Sequence, residues 1–501
     1  MRKIRLLLPL LAILLAESAM ASNPIPLERD EYDAARDALI DLDRSRRRSA
    51  DLEFNEAERA ADRVLQAMKS EWLSLPTWQY PPAHRFHEVR EAYDASPLLN
   101  VMELLPKGAM LHVHPSATGS FDLLLEATYD PHVYIYQGPD SLWQPTGSMR
   151  WADTSPGPQW ARAVDLRAAA DDADAFDREV LESITLGLED YDNGDVWTHF
   201  ENNFSRMWNL ASEPTIWRRH MINTCRELAE QHVQLVEFHT WIGAGRNADG
   251  SVRKPKEVVQ FWLEVRDSIR VDHPDFDIKL VGAITRWNDA DTVRDYLHLV
   301  VDLKQQYPDL IVGYDLVSEE DKAATNYDYI EPILAAHRYA DSLGVELRPC
   351  IHSGESNRLD NENLYDAILL NAKRIGHGYG MWRHPELMDR ALKQDIAIEI
   401  CPISNQALGY VVDLRNHPAV EYLARGIPIV LSPDDPGMMR YRWVYDWVAA
   451  TSAWDLSLAD IKQMILDSYE YSGYNDQDRA AAVDAWELEW YRWVSWLAGQ
   501  E

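Results

Sequence analysis

Residues 346–357 read ELRPCIHSGESN, and this stretch decides the fold. The run 346–351 has the length and apolar content of a buried strand. It ends in His352, and the carboxylate of Glu355 follows three residues later. The same pattern, a short apolar run closing on polar residues, recurs as AMLHVH (109–114), VQLVEFH (233–239), KLVGAIT (279–285), IVGYDLV (311–317), KRIGHG (373–378), IAIEIC (396–401) and IPIVLS (427–432). Eight apolar strands separated by helical spans predict a parallel sheet, and the count favours a closed (β/α)₈ barrel of the TIM type over an open doubly wound sheet. No GxGxxG follows any of the eight, which weakens a dinucleotide-binding reading.

Outward from this core the chain divides into parts. Residues 1–21 carry Arg2, Lys3 and Arg5, an apolar run Leu6 to Ala16, and Ala19-Met20-Ala21. This is the order of a secretory signal, too short for a stable membrane anchor. Residues 22–106 show apolar positions every three to four residues and predict a helical extension, a candidate subunit contact. The barrel is expected over 107–450, with an insertion at about 133–195 where Pro, Gly, Ser, Asp and Trp replace any clean period. Residues 451–501 predict C-terminal helices packing on the barrel, with Trp486, Trp490, Trp493 and Trp496 forming a stripe for packing rather than a ligand box.

The 501 residues carry a formal net charge of −33, or about −35 without the leader. Such a chain repels nucleic acid, whose binding depends on Lys and Arg neutralising phosphates, so the expected partner is a small molecule. Cys225, Cys350 and Cys401 are odd in number and far apart, which fits small buried hydrophobes rather than a disulfide framework.

Barrel enzymes assemble their sites at the C-terminal ends of the strands. Those ends carry His112 and His114, His352 and Glu355, His377, then Asp434 and Asp435. Histidines two apart on a strand face the same side, so His112 and His114 can reach one ion, with His352 and Asp434 joining from other strands. Three imidazoles and a carboxylate suit a divalent transition metal, zinc above all, with room for a water whose pKa falls from 15.7 toward ~7. His377 is placed to orient or deprotonate that water. Glu355 is placed to protonate the substrate, and Asp435 to hold a ring nitrogen or share the proton work. His239, His199 and His232 read mainly as surface or packing residues, with lining of the pocket the alternative for His239 because it ends a strand.

Taken together, PKGAMLHVH, VGYDLVSEED, HSGESN, NLYDAILLNAKRIGHG, EICPISNQALGYVVDLRNHP and GIPIVLSPDDP resemble, in order, the motifs of the adenosine/AMP deaminase superfamily of metal-dependent hydrolases. Within it they are most similar to the adenosine deaminase-related growth factor branch, whose N-terminal extension FHEVREAYDASPLLNVMELLPKGA also resembles. The resemblance implies one Zn²⁺ per chain on His112, His114, His352 and Asp434. It makes Glu355 the donor to the purine ring nitrogen beside the amino-bearing carbon, His377 the group that orients water, and Asp435 the partner of the imidazole-side nitrogen. It places Ser116, Asp315 and Ser318 on the substrate side. It further implies a homodimer, export to the periplasm or the exterior, no membrane or nucleic-acid partner, and hydrolysis of adenosine or 2′-deoxyadenosine to inosine and ammonia.

Departures mark the sugar and base contacts. Pro115-Ser116 follows His114 where relatives carry an aspartate, Ser318 stands where they carry glycine, and no cysteine lies between His112 and Thr224, where some members have a disulfide. A different purine or a modified adenosine is the alternative substrate. A non-catalytic extracellular nucleoside-binding protein is the alternative class, against which stands the complete set of ligands with Glu355 and His377.

Overall fold

A computed structural model describes residues 28–138, 149–187, 190, 195–243, 245–246 and 251–500. The signal-like segment 1–21 lies outside them. Eight parallel strands form the centre: β1 (Gly108–Val113), β2 (Val233–Thr240), β3 (Asp277–Thr285), β4 (Ile311–Val317), β5 in two pieces (Arg348–Pro349 and His352–Ser353), β6 (Arg374–His377), β7 (Ala397–Ile400) and β8 (Ile429–Leu431). They pair in sequence order, β1 to the first piece of β5 in one sheet and the second piece of β5 to β8 in the other. Gly376 N donates to Ile351 O across the break. A parallel bridge between Val113 and Asp434 closes the ring, with Asp434 N donating to His112 O and His114 N to Asp434 O. This is the (β/α)₈ barrel expected from the eight runs. All six residues of β1 are buried, as befits a strand covered on both faces.

The N-terminal end of the barrel is sealed by sequence-distant parts. Arg47 and Ser49 bind Asp460, and Arg48 forks onto Asp467, both acids lying on α4 (Leu458–Glu470). Helix α2 (Glu56–Leu73) begins with a capping box, and its buried Glu58 takes Lys462 Nζ at 2.6 Å and Trp490 Nε1 at 3.0 Å. Here the packing expectation is corrected: α4 covers the barrel, whereas the last helix, α5 (Asp476–Ala498), lies chiefly on α2. The tryptophan stripe is indeed packing. Trp486 and Trp493 are buried with their indole N–H groups on Pro106 O and Val101 O, while Trp496 is more exposed. A side chain with one polar atom and a large apolar body is accommodated in this way.

The stretch without period contains a three-stranded antiparallel sheet, Val133–Tyr136 flanked by Met149–Trp151 and Trp160–Arg162, then two helices, Ala163–Ala169 and Ala173–Glu182. Helix α3 (Val196–Ala211) follows and leans over the barrel mouth, Trp197 Nε1 donating to Tyr410 OH at 2.9 Å. All three cysteines are buried and free. Among the described residues no helix is long and apolar enough to cross a membrane.

Candidate metal centre and active site

His112, the fifth residue of β1, points into the barrel. Gly376 on β6 makes room for it, since a Cβ there would lie 2.9 Å from His112 Cε1. His112 Nδ1 sits 2.7 Å from Glu399 Oε2 on β7. A carboxylate only accepts, so Nδ1 carries the proton and Nε2 is left with its lone pair. His352 repeats the device with Nδ1 2.7 Å from Asp315 Oδ2. His114, just past β1 in extended conformation, brings Nε2 to 3.2 Å from Asp434 Oδ1, and His112 Nε2 lies 3.5 Å from the same oxygen. The ligand-capable atoms of His112, His114, His352 and Asp434 all fall within 4.8 Å of one another.

The fit to an ion can be tested on what these atoms touch. His112 Nε2 and Asp434 Oδ1 are buried with no hydrogen-bond partner, as are His377 Nε2, Glu355 Oε1 and Asp435 Oδ1. Buried polar atoms almost always find partners, so these orphans, four of them from the overlapping clusters of His112, His377, Glu355 and Asp434, fit a bound cation with its water or substrate. The donor set of three imidazoles and one carboxylate is one that transition metals accept.

Around this set stand the remaining predicted groups. Glu355 Oε1 is 3.4 Å from His377 Nδ1, and His377 Nε2 is 4.0 Å from Asp434 Oδ2. Burial, with Asp434 and Glu320 nearby, pushes Glu355 well above the usual carboxylate range. Burial likewise raises Asp435, reinforced by Asp434 beside it, and holds His377 neutral well below its ordinary value. Burial also tends to raise Asp434, but the imidazoles of His112, His114 and His377 beside it win and hold it well below the usual carboxylate range. Two of these residues are left-handed non-glycines, His377 at φ 58° and Asp434 at φ 65°, a strain that concentrates at working sites.

Of the residues expected on the substrate side, Asp435 joins the cluster. Ser116 is half-buried in the turn Pro115–Ala117, and half-buried Ser318 directly follows β4 at φ 102°. Asp315 is a correction. It is fully buried beneath the histidines, accepting from His352 N and Nδ1 and from His239 Nδ1, so its carboxylate orients imidazoles instead of meeting substrate. His239 corrects the packing reading in the other direction. It is buried against His112, with Nδ1 on Asp315 and Nε2 3.0 Å from Leu111 O, and both nitrogens are thereby used.

Sequence reasoning missed Glu399, Glu320, Ser404 and Asn405. Glu320 accepts from Gly354 N and Glu355 N and so holds the turn after His352, where Gly354 takes φ 76°. Ser404 Oγ donates to Asp434 Oδ2 at 2.8 Å, and Asn405 Nδ2 lies 3.3 Å from His377 Nδ1. The available signal was an ionisable residue inside an apolar run, as in IAIEIC, because a buried charge must be paired.

Comparison with known proteins agrees with this geometry. Residues 166–486 match the family model described as adenosine deaminase. The chain is 32% identical over 475 residues to adenosine deaminase 2 of Dictyostelium discoideum, covering 93% of this chain and 88% of that one. It is 30% identical to adenosine deaminase 2 of Sus scrofa, covering 98% of each. Among solved structures it resembles the adenine deaminase of Arthrobacter aurescens (TM-score 0.55, 18% identity, 77% of this chain and 99% of that one). It also resembles the N6-methyl-AMP deaminase of Arabidopsis thaliana (TM-score 0.57, 15% identity, 78% and 98%), a likeness of fold. The chain belongs to the adenosine deaminase family, in its adenosine deaminase-related growth factor branch, and is a metal-dependent aminohydrolase.

Proposed function

We propose that this protein is a zinc-dependent deaminase that converts adenosine, or 2′-deoxyadenosine, to inosine and ammonia outside the cytoplasm. The observation that carries the reading is the convergence of orphaned His112, Asp434, His377, Glu355 and Asp435 atoms at the mouth of the barrel. His112, His114, His352 and Asp434 would hold one zinc per chain, and when bound it supplies a water of pKa near ~7. His377, kept neutral by burial, orients that water and takes up its proton. The oxygen adds to the purine carbon bearing the amino group. Glu355, protonated because it is buried, gives its proton to the adjacent ring nitrogen. Asp435, also held protonated, donates to the imidazole-side nitrogen and fixes the ring. The C–N bond then breaks, ammonia leaves with the proton that His377 took from water, the hydroxyl proton passes to the Glu355 carboxylate and restores it, and the carbonyl of inosine remains.

Pro115-Ser116 and the strained Ser318 support a second reading, that the preferred substrate is another purine or a modified adenosine. Incubating the zinc-replete protein with a panel of nucleosides and bases and measuring ammonia decides between them. Inosine from adenosine, lost on chelation and restored by zinc, supports the first. Ammonia released only from another ring replaces it with the second. No ammonia from any ring leaves the non-catalytic class.

Two further expectations belong here. Helix α1 (Arg29–Arg44) buries none of its residues, and its apolar side shows Tyr32, Leu39 and Leu42, which supports a homodimer made through the N-terminal extension. Leu39→Glu with Leu42→Glu should convert a dimeric mass in light scattering to a monomeric one. The leader-like residues 1–21 support export. Mature protein recovered from the periplasm or medium with its N-terminus near Ser22 is the expected result.

A further inference from the structure

Beneath the metal cluster runs a second feature that the chemistry above does not use. Arg374, at the start of β6 and almost fully buried, lies between two fully buried glutamates. Its Nη2 is 2.5 Å from Glu237 Oε2 on β2, and its Nε is 2.5 Å from Glu399 Oε1 on β7. The other oxygens of both acids are taken as well, Glu399 Oε2 by His112 Nδ1 at 2.7 Å and Glu237 Oε1 by the backbone N–H of Gly473 at 2.6 Å. Arg374 Nη1 donates to Tyr471 O at 2.8 Å. The result is a line of hydrogen bonds joined by one ion pair, Arg374 to Glu399, running through the barrel interior from the turn after α4 to His112.

Three buried charges in a barrel core are costly, and apolar residues of similar volume often serve stability as well or better. A packing role alone therefore explains the chain poorly. Its geometry does something packing cannot. The guanidinium forks Nη1 and Nη2 onto Tyr471 O and Glu237 and sets its charge against Glu399 Oε1 as an ion pair, so the second Glu399 oxygen stands where it must to hold the Nδ1 proton of His112. The anchor of the fork is at the opposite end of the barrel. Gly473 has no room for a side chain, since a Cβ would meet Val312 Cγ2 at 2.5 Å and Lys279 Cδ at 3.2 Å.

We propose that Arg374 is a positioning residue for the metal centre: through Glu399 it fixes the ring of His112, and through Glu237 it makes metal affinity depend on the Tyr471–Gly473 turn that closes the far end of the barrel. This rests on the reading of His112 as a ligand, and the test separates the two.

The full-length protein and its variants are loaded with zinc, the affinity is measured by chelator competition, and the absorption spectrum is recorded after exchange to cobalt(II). Arg374→Lys keeps the charge and loses the fork; Glu399→Gln keeps the shape. Each should weaken zinc by about 10- to 100-fold, the usual effect of losing an outer-shell partner, and shift the cobalt bands. Gly473→Ala, far from the ion, should weaken it several-fold with a smaller shift. Arg48→Ala is the control, because Arg48 binds Asp467 near the same end and reaches Tyr471 only at its hydroxyl, through Asp395, leaving the carbonyl that holds Arg374 untouched. It should lower the melting temperature and leave zinc affinity and the cobalt spectrum unchanged. Wild-type affinity in Arg374→Lys or Gly473→Ala, or equal weakening in Arg48→Ala, overturns the inference. If His112→Ala still binds one zinc as tightly as wild type, the ligand reading itself fails. If His112→Ala loses zinc while Arg374→Lys keeps it, only the present inference fails.

Discussion

At the C-terminal end of the barrel, five buried polar atoms of His112, Glu355, His377, Asp434 and Asp435 lack partners, and Ser318, His377 and Asp434 hold positive φ without being glycine. At the N-terminal end, Asp460 and Asp467 are just as buried, yet Arg47, Ser49 and Arg48 meet their oxygens directly. The mouth carries a cluster of unsatisfied ionisable groups, which persists only where surroundings over-determine it, whereas positive φ in non-glycines occurs near both ends, at Asp395 and Asp455 as well. The sealed end supplies that determination with matched charges and packed aromatics. The difference separates chemistry from stability along one axis, as expected for this architecture.

If the division holds, a change at the mouth removes turnover and spares the fold. Glu355→Gln should lower kcat/KM for the accepted substrate by about 10³-fold, within the range of a lost general acid, while zinc stays near one per chain by elemental analysis. A variant with near wild-type rate would remove Glu355 from proton transfer and blur the contrast between the ends.

A change at the sealed end should do the reverse. Arg48→Ala leaves buried Asp467 without its guanidinium. Since the Arg48 side chain is itself 31% exposed, the expected cost is about 2 kcal/mol, less than for a fully buried pair. Urea unfolding should show the loss through a lower midpoint at unchanged slope, with kcat intact at 25 °C. A loss of kcat in a protein that remains folded would show that this end also reaches the chemistry.

The mouth should also betray itself through pH. In the folded protein Glu355 titrates well above its ordinary value near 4.5, raised first by burial. A raised carboxyl contributes stability that is fully present below the unfolded value and lost as pH rises through the folded one. Metal-free wild type should therefore lose stability on going from acid to alkaline pH more steeply than Glu355→Gln, which has nothing to titrate there. Below about pH 4.5 the two melting curves should run parallel, separated only by the pH-independent effect of the substitution. Curves that stay parallel above that pH as well would mean that Glu355 ionises in the folded apo-protein as readily as in the unfolded chain.

How much of this was legible in the sequence follows from where each residue sits. His112, His352, His377, Asp434 and Glu355 stand at or just past the ends of apolar runs, where a strand stops being buried on both faces and its chemistry is exposed to reading. Asp315 is also in such a run, but two residues short of the end of β4, which lowers its carboxylate beneath the histidines. Glu237, Arg374 and Glu399 could be seen as charges inside strands. Which of them pair depends on barrel closure, which juxtaposes residues more than a hundred positions apart. The small sheet at 133–162 escaped because its strands are three or four residues long, too short for alternation to show.

The smallest expected effect tests the strain most directly. Ser318 follows β4 at φ 102°, a region that a side-chain-bearing residue enters at a cost of roughly 1–3 kcal/mol. Ser318→Gly releases that cost, while the freer unfolded chain takes back about 0.4–1 kcal/mol. The net should be a gain of about 1 kcal/mol, read as a rise of a few degrees in melting temperature. Because Ser318 is half-buried beside the mouth, the same variant should change KM more than kcat, for it removes a hydroxymethyl group from the approach to the site and touches none of the proton-bearing groups. A melting temperature that falls would mean the serine is held by a contact worth more than its backbone strain, and the mouth of the barrel would then be better satisfied than its orphaned atoms imply.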